Sequence, residues 1–240
     1  MRYQMGLPLW NKGELKETHF NEATTDPDKE KLESPDNEVF IPGFYIQRTE
    51  VTNKQFAHYY SSMESQGSLS EDIMNWHMAY KKEWKARQFE PTFDQLPVVF
   101  ISEKGALAYA RAMGGNLPSF RQRLLTASSR KNRREFVWDK NPSDLSDEER
   151  TKIAIGSGRR PVGVSTLDIT EQGVVDLGGN VKEWVIDPRY QAGGAVCGAS
   201  FDSAFSVEDC WIRHIEEFTG TARDVGFRVV LECPPTGEVP

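Results

Sequence analysis

The chain has 240 residues and a formal net charge of −7, with 38% hydrophobic and 27% charged residues. This is ordinary globular composition, long enough to bury one sizeable core. It excludes a helical membrane span, because no apolar run approaches the roughly 18 residues needed, and the acidic balance argues against a broad nucleic-acid footprint. The three cysteines show no CxxC spacing, so they suggest neither a disulfide framework nor a zinc site.

The start, "MRYQMG", carries no signal-peptide pattern and sits abruptly on what reads as a strand end, as if a leader or upstream segment had been removed. Residues 11–38 are polar and charged and read as a long surface loop. "VFIPGFYIQRTE" (39–50) has strand composition broken by Pro42-Gly43. Thr52 then reads as the N-cap of a helix that puts Phe56, Tyr59 and Tyr60 on one face. Residues 64–95, with Trp76, Tyr80, Trp84, Phe89 and Phe93, read as an irregular aromatic excursion.

"ISEKGALAYARAMGG" predicts a helix capped by Ser102, buried through Ala106, Leu107, Ala110 and Met113, and stopped by Gly114-Gly115. A second helix follows, capped by Ser119. Residues 131–160 read as a charged, loop-like insertion. Short strand-like pieces then succeed one another: "PVGVS", "GVVDL", "VKEWVID", "GAVCGAS", "CWIRH" and "VGFRVVLE". Helices early and short strands with Gly-rich turns late predict an α+β domain occupying the whole chain, 1–240.

Local motifs for chemistry are sparse. "DKNPSD" (139–144) opens like an EF-hand loop, but Asp144 and Arg150 stand where Gly and Glu are required. His19, His58, His77 and His214 have no metal-binding spacing. There is no GxSxG elbow, and "GSGRRPVG" runs into Arg-Arg-Pro where a phosphate-binding helix should start. The basic run 121–134 reads as a solvated helix end, with an anionic partner as the sharper alternative.

"DLGGNVKEWVID" (176–187) holds more interest. Gly178-Gly179 frees the backbone so that carbonyls can converge, and Val181 and Glu183 share one strand face. Two or three carbonyls and one carboxylate would cage a hard cation such as calcium. The alternative is a tight turn in which Glu183 pairs with a neighbouring Arg or Lys.

Several pieces in the right order resemble the formylglycine-generating enzyme, or sulfatase-modifying-factor, family. "YQMG", "FYIQRTEVTNKQF", "LPVVFISEKGALAYARAMGGNLPSFRQRLLTASSR", "GVVDLGGNVKEWVID" and "GASF…GFRVV" are similar to its successive motifs and span nearly the whole chain. The resemblance implies a C-type-lectin-like α+β fold with little regular secondary structure. It also implies a calcium site using carbonyls of Gly179 and Val181, with Gly178 as a further carbonyl, and the Glu183 side chain. The family's second calcium site is not implied, because the comparable "TKIAIGSG" has no Asn.

The family's catalysts carry two cysteines after Gly-Gly-Ser that bind copper and oxidise a substrate cysteine. Here Ser203 and Glu208 stand near those positions, Cys197 and Cys210 are misplaced, and neither Ser nor Glu holds Cu(I) as thiolates do, so no copper is expected. Further departures include Asn116, Phe120, Arg123, Lys182 and Ala199. These features predict a non-catalytic module that binds a protein partner in a bacterial accessory or regulatory role, as in secretion, motility or kinase signalling. The binding surface expected is Ser203, Phe205, Glu208, Arg213 and His214 together with the excursion 76–93. Nucleic acid is not expected as a partner. Two alternatives stay open: a cysteine-independent metal oxidoreductase using Glu208, Asp209 and His214, and a permanent structural subunit of an assembly. The family's frequent export and the abrupt start favour a periplasmic or extracellular location.

Overall fold

The computed structural model describes residues 15–16, 40–87, 92–128, 135–138, 140–190, 193–203, 208–212 and 214–232. Two strands, β1 (Leu15–Lys16) and β2 (Phe40–Ile41), pair antiparallel at one margin. β3 (Phe44–Ile46) pairs antiparallel with the last strand, β8 (Val230–Glu232), with Tyr45 opposite Leu231. The two ends of the described chain are thereby closed against each other.

Between them, among the described residues, lie five α-helices. α1 (Asn53–Ser65) starts as predicted: the Thr52 hydroxyl accepts from the Gln55 amide, and the Gln55 side chain accepts in return from the Thr52 amide. Its buried stripe is Phe56, Tyr59 and Tyr60. α2 (Glu71–Arg87) corrects the expectation of an irregular excursion at 64–95. Ile73, Trp76 and the half-buried Tyr80 fall at helical spacing and face the core, while Lys81, Lys82 and Lys85 lie exposed. α3 (Glu103–Ala112) is capped by Ser102, and α4 (Phe120–Ala127) by Ser119 and Gln122 in a second capping box.

α5 (Asp147–Ile153) interrupts the predicted 131–160 insertion, started by a third capping box between Ser146 and Glu149. Ile153 fixes it to the core. Residues 129–134, which hold much of the basic run, lie outside the described residues.

A four-stranded sheet carries the later half in the order β6-β5-β4-β7: Ile215–Glu217, Ala195–Cys197, Lys182–Val185 and Val225–Gly226. β4 pairs antiparallel with β5, setting Glu183 opposite Cys197, and parallel with β7, setting Glu183 opposite Gly226. The described residues of "CWIRH" are not strand: Glu208–Cys210 forms a 3-10 turn and the strand begins only after it, at Ile215. "PVGVS" and "GVVDL" are not strands; Val175 of the second makes an isolated antiparallel bridge to Ile169.

One apolar cluster gathers Phe56, Trp76, Tyr109, Trp184 and Phe227, with Phe56 stacked on Tyr109 at 5.4 Å and edge-on to Trp76 at 4.6 Å. A second holds Phe136, Trp138, Ile153 and Leu177 on the other side of the 176–183 turn. The turn is therefore clamped between two cores. Among the described residues, no helix is long and apolar enough to cross a membrane.

Candidate functional site

Gly178 and Gly179 are required by close packing. A Cβ on Gly178 would lie 2.5 Å from the Trp138 ring, and one on Gly179 would lie 2.1 Å from the Ile153 carbonyl oxygen. What converges here is a row of amides. Leu177 N–H donates to Asp168 Oδ1 at 3.1 Å, and the amides of Gly178 and Gly179 donate to Asp168 Oδ2 at 2.7 and 2.8 Å. Asp168 is fully buried, and burial pushes its carboxyl up to about 7 against the pull of those amides. The turn grips an internal carboxyl group.

Asn180 completes the turn in the left-handed region at φ 64°. Its Oδ1 accepts from the Arg160 amide at 3.0 Å and its Nδ2 donates to Glu50 Oε1 at 2.9 Å. Beyond it, Glu183 forms a two-pronged ion pair with Arg228, Nε to Oε2 at 2.8 Å and Nη2 to Oε1 at 2.6 Å, both side chains wholly buried. The remaining Arg228 N–H groups donate to the carbonyls of Gln47 and Arg48 at 3.2 Å and of Val175 and Asp176 at 3.0 and 3.1 Å. Four carbonyls and a carboxylate thus surround a guanidinium.

The residues do not fit a calcium ion held through Glu183. Both of its oxygens are engaged, and a second cation on that carboxylate would meet the Arg228 charge at contact distance. Gly178 and Gly179 serve the turn through their amides, and the Gly178 carbonyl accepts from Ala199 N–H at 3.2 Å. Val181 is core, at 1% exposure. Glu183 follows the alternative in which it pairs with an arginine, because the GFR segment runs beside β4 and delivers Arg228 to it.

The expected binding surface is only partly brought together. The Ser203 hydroxyl accepts from Ser200 N–H at 3.0 Å and lies 3.0 Å from the Ser200 hydroxyl, which donates to Asp224 at 2.8 Å. His214 stands apart from that network, half-buried, with Nε2 3.9 Å from Asp209 Oδ1. Beside it Trp211 is 44% exposed. Glu208 opens the 3-10 turn, its side chain lying outside the described residues, as do Phe205 and Arg213. Within the 76–93 excursion, Trp76 and Phe93 are core residues, Met78, Lys81, Lys82 and Lys85 are exposed, and Phe89 lies outside the described residues.

Cys197 and Cys210 are both buried, and burial pushes each thiol up to about 12. Cys233 lies outside the described residues. Among the described residues, no group of three or more His, Cys, Asp or Glu is arranged to hold a metal.

A sulfatase-modifying factor enzyme 1-like domain model matches residues 11–233. The chain belongs to that family. Among curated proteins, the sulfatase-modifying-factor chain is similar to the serine/threonine-protein kinase Pkn1 of Chlamydia trachomatis, 28% identical over 173 residues, covering 70% of this chain and 26% of the kinase. It is similar also to the pkn1 kinase of Chlamydia caviae, 25% identical over 164 residues, covering 65% of this chain and 24% of that kinase. The chain thus spans about a quarter of the length of either kinase.

Solved structures share its fold. PvdO from Pseudomonas aeruginosa superposes with a TM-score of 0.58 at 16% identity, covering 92% of both chains. CarF gives 0.58 at 15% identity over 82% of this chain and 89% of its own. Treponema denticola variable protein 1 gives 0.59 at 15% identity over 82% and 87%. The α+β, formylglycine-generating-enzyme-like fold is thereby shown.

Sequence reasoning missed Asp168, Asp176, Glu50 and Arg228 as one buried polar centre. Its signals lay in the motifs themselves, the Glu of E-V-T-N, the Asp before Gly-Gly and the Arg of G-F-R, which were read as scaffold without a partner for each charge.

Proposed function

We propose that this domain is a non-catalytic member of its family that binds a protein partner in a bacterial accessory or regulatory role. The observation that carries this reading is Ser203. Where a copper-binding cysteine is expected, it offers a hydroxyl tied to Ser200 and through it to Asp224. An alcohol in that network replaces neither thiolate, and the two thiols described are buried and held protonated at neutral pH. The likeness to Pkn1 favours kinase signalling among the regulatory settings, and exported relatives favour a periplasmic or extracellular site.

The partner-facing surface proposed is the rim carrying Trp211 and His214, where an exposed aromatic stands beside a half-buried imidazole. The test has two parts. A cysteine-containing peptide incubated with the protein, Cu(I) and oxygen should yield no aldehyde by mass spectrometry; turnover would sink the reading. Cross-linking in native cells should identify a protein whose purified form binds the domain, with Trp211→Ala weakening it tenfold or more. Unaltered affinity in that variant would move the surface elsewhere. A complex that never dissociates on dilution would favour the structural-subunit alternative.

A further inference from the structure

One face of α2 is buried and the other is unpartnered. Ile73, Trp76 and Tyr80 pack into the first core, and Glu83 is turned to Arg159 in an ion pair whose arginine side chain is 2% exposed. On the far side, Met74 and Met78 stand one turn apart at 53% and 70% exposure. Lys81, Lys82 and Lys85 are exposed along the next two turns. At about 100° per residue these five side chains fall within an arc of about 100° and span about 16 Å of the helix. Among the described residues, none of the three lysines is in an ion pair.

The helix macrodipole accounts for cations in the C-terminal half, but not for two exposed thioethers in the first half. Singly exposed apolar side chains are ordinary; a pair in line with three cations, on a chain of net charge −7, is a patterned face. We propose that this outer face of α2 docks an acidic amphipathic helix of a partner protein. Its apolar residues cover Met74 and Met78, and its carboxylates lie over Lys81, Lys82 and Lys85. This is a second contact, beyond the Trp211 rim: α2 is mounted on the first core, whereas Trp211 lies between Cys210 and Ile212 of the second.

The form of the occupant follows from the form of α2. Mid-helix backbone groups are paired within the helix, so no strand can add to this face. Met74, Met78 and Lys82 make an i, i+4 ridge, which a facing helix receives between its own ridges. Methionine, unbranched and flexible, adapts to the apolar side chains it meets. Charge complementarity selects an acidic occupant, and the order of the pattern, methionines then lysines, sets which way that helix runs. An anionic lipid surface fits less well, because two thioethers bury little hydrocarbon and the chain's net negative charge is repelled by it.

The test is fluorescence anisotropy with two labelled synthetic helical peptides. One carries leucines on two successive turns and glutamates on the next two; the other has lysines in place of the glutamates. The acidic peptide should bind saturably, and more weakly as ionic strength rises, while the basic one should not bind. Met78→Ser, and the double variant Lys81→Glu with Lys85→Glu, should each weaken binding tenfold or more at an unchanged melting temperature, since all three side chains are exposed. Trp211→Ala should leave the affinity unaltered, which separates this face from the rim. Equal binding of the two peptides, binding of neither, full affinity in the α2 variants, or loss in Trp211→Ala would overturn the proposal. So would a preference for phosphatidylglycerol vesicles over the acidic peptide, or self-association of the chain that the same α2 variants abolish.

Discussion

At Asp168 one carboxyl group accepts from three buried amides, so its loss should exceed that of a single hydrogen bond. Asp168→Ala is expected to destabilise the fold by about 3 kcal/mol at pH 6, read from the urea midpoint. Gly179→Ala should be comparably severe, about 3 kcal/mol, because its methyl would meet the Ile153 carbonyl at 2.1 Å and neither backbone can give way in a packed core. Unchanged midpoints in either variant would show that the turn relaxes freely. The identity of Gly178-Gly179, Asn180 and Glu183 as a special turn was legible in the sequence. Their roles were not, because spacing shows that a backbone can turn tightly without showing whether its amides or its carbonyls face inward. That depended on Asp168, ten residues upstream, and on Arg228, forty-five residues downstream.

At the scale of elements, the caps were the most legible feature. Thr52, Ser102 and Ser119 each accept the amide their position implies. Ser119→Ala should cost about 1 kcal/mol, and more than a solvent-exposed cap would, because the adjoining backbone also anchors β4: Phe120 N–H donates to Ile186 at 3.0 Å and Ile186 N–H to Pro118 at 2.9 Å. Ser146→Ala, at the exposed start of α5, is the comparison; a smaller thermal shift at Ser119 than at Ser146 would contradict this. α5 carried its own visible signal, Ser146 with Glu149, but the surrounding charges read as loop. α2 was hidden in a similar way. Its stripe of Ile73, Trp76 and Tyr80 is narrow, and Met74 and Met78, at 53% and 70% exposure, blur the contrast between faces.

For the whole molecule, the question is what cation organises the centre. The Glu183 carboxylate that a calcium ion could have used is taken instead by Arg228, which reaches β4, the 47–48 segment and the 175–176 turn at once. A guanidinium built into the chain cannot be chelated. Dialysis against EGTA should therefore leave the melting temperature unchanged, and millimolar calcium should not raise it. Arg228→Met should cost about 3–5 kcal/mol, because it strands Glu183 as a wholly buried, unpaired charge as well as releasing four carbonyls. The double variant Arg228→Met with Glu183→Gln should recover part of that loss, since the uncompensated charge goes with the carboxylate. A calcium-dependent rise in melting temperature that disappears in Glu183→Gln would show that carboxylate serving two cations. An additive double variant would show that the pair contributes little beyond its separate contacts. The expected coupling places the organising centre in the chain's own charges, leaving partner recognition to the loops and the helix face that the two cores hold in place.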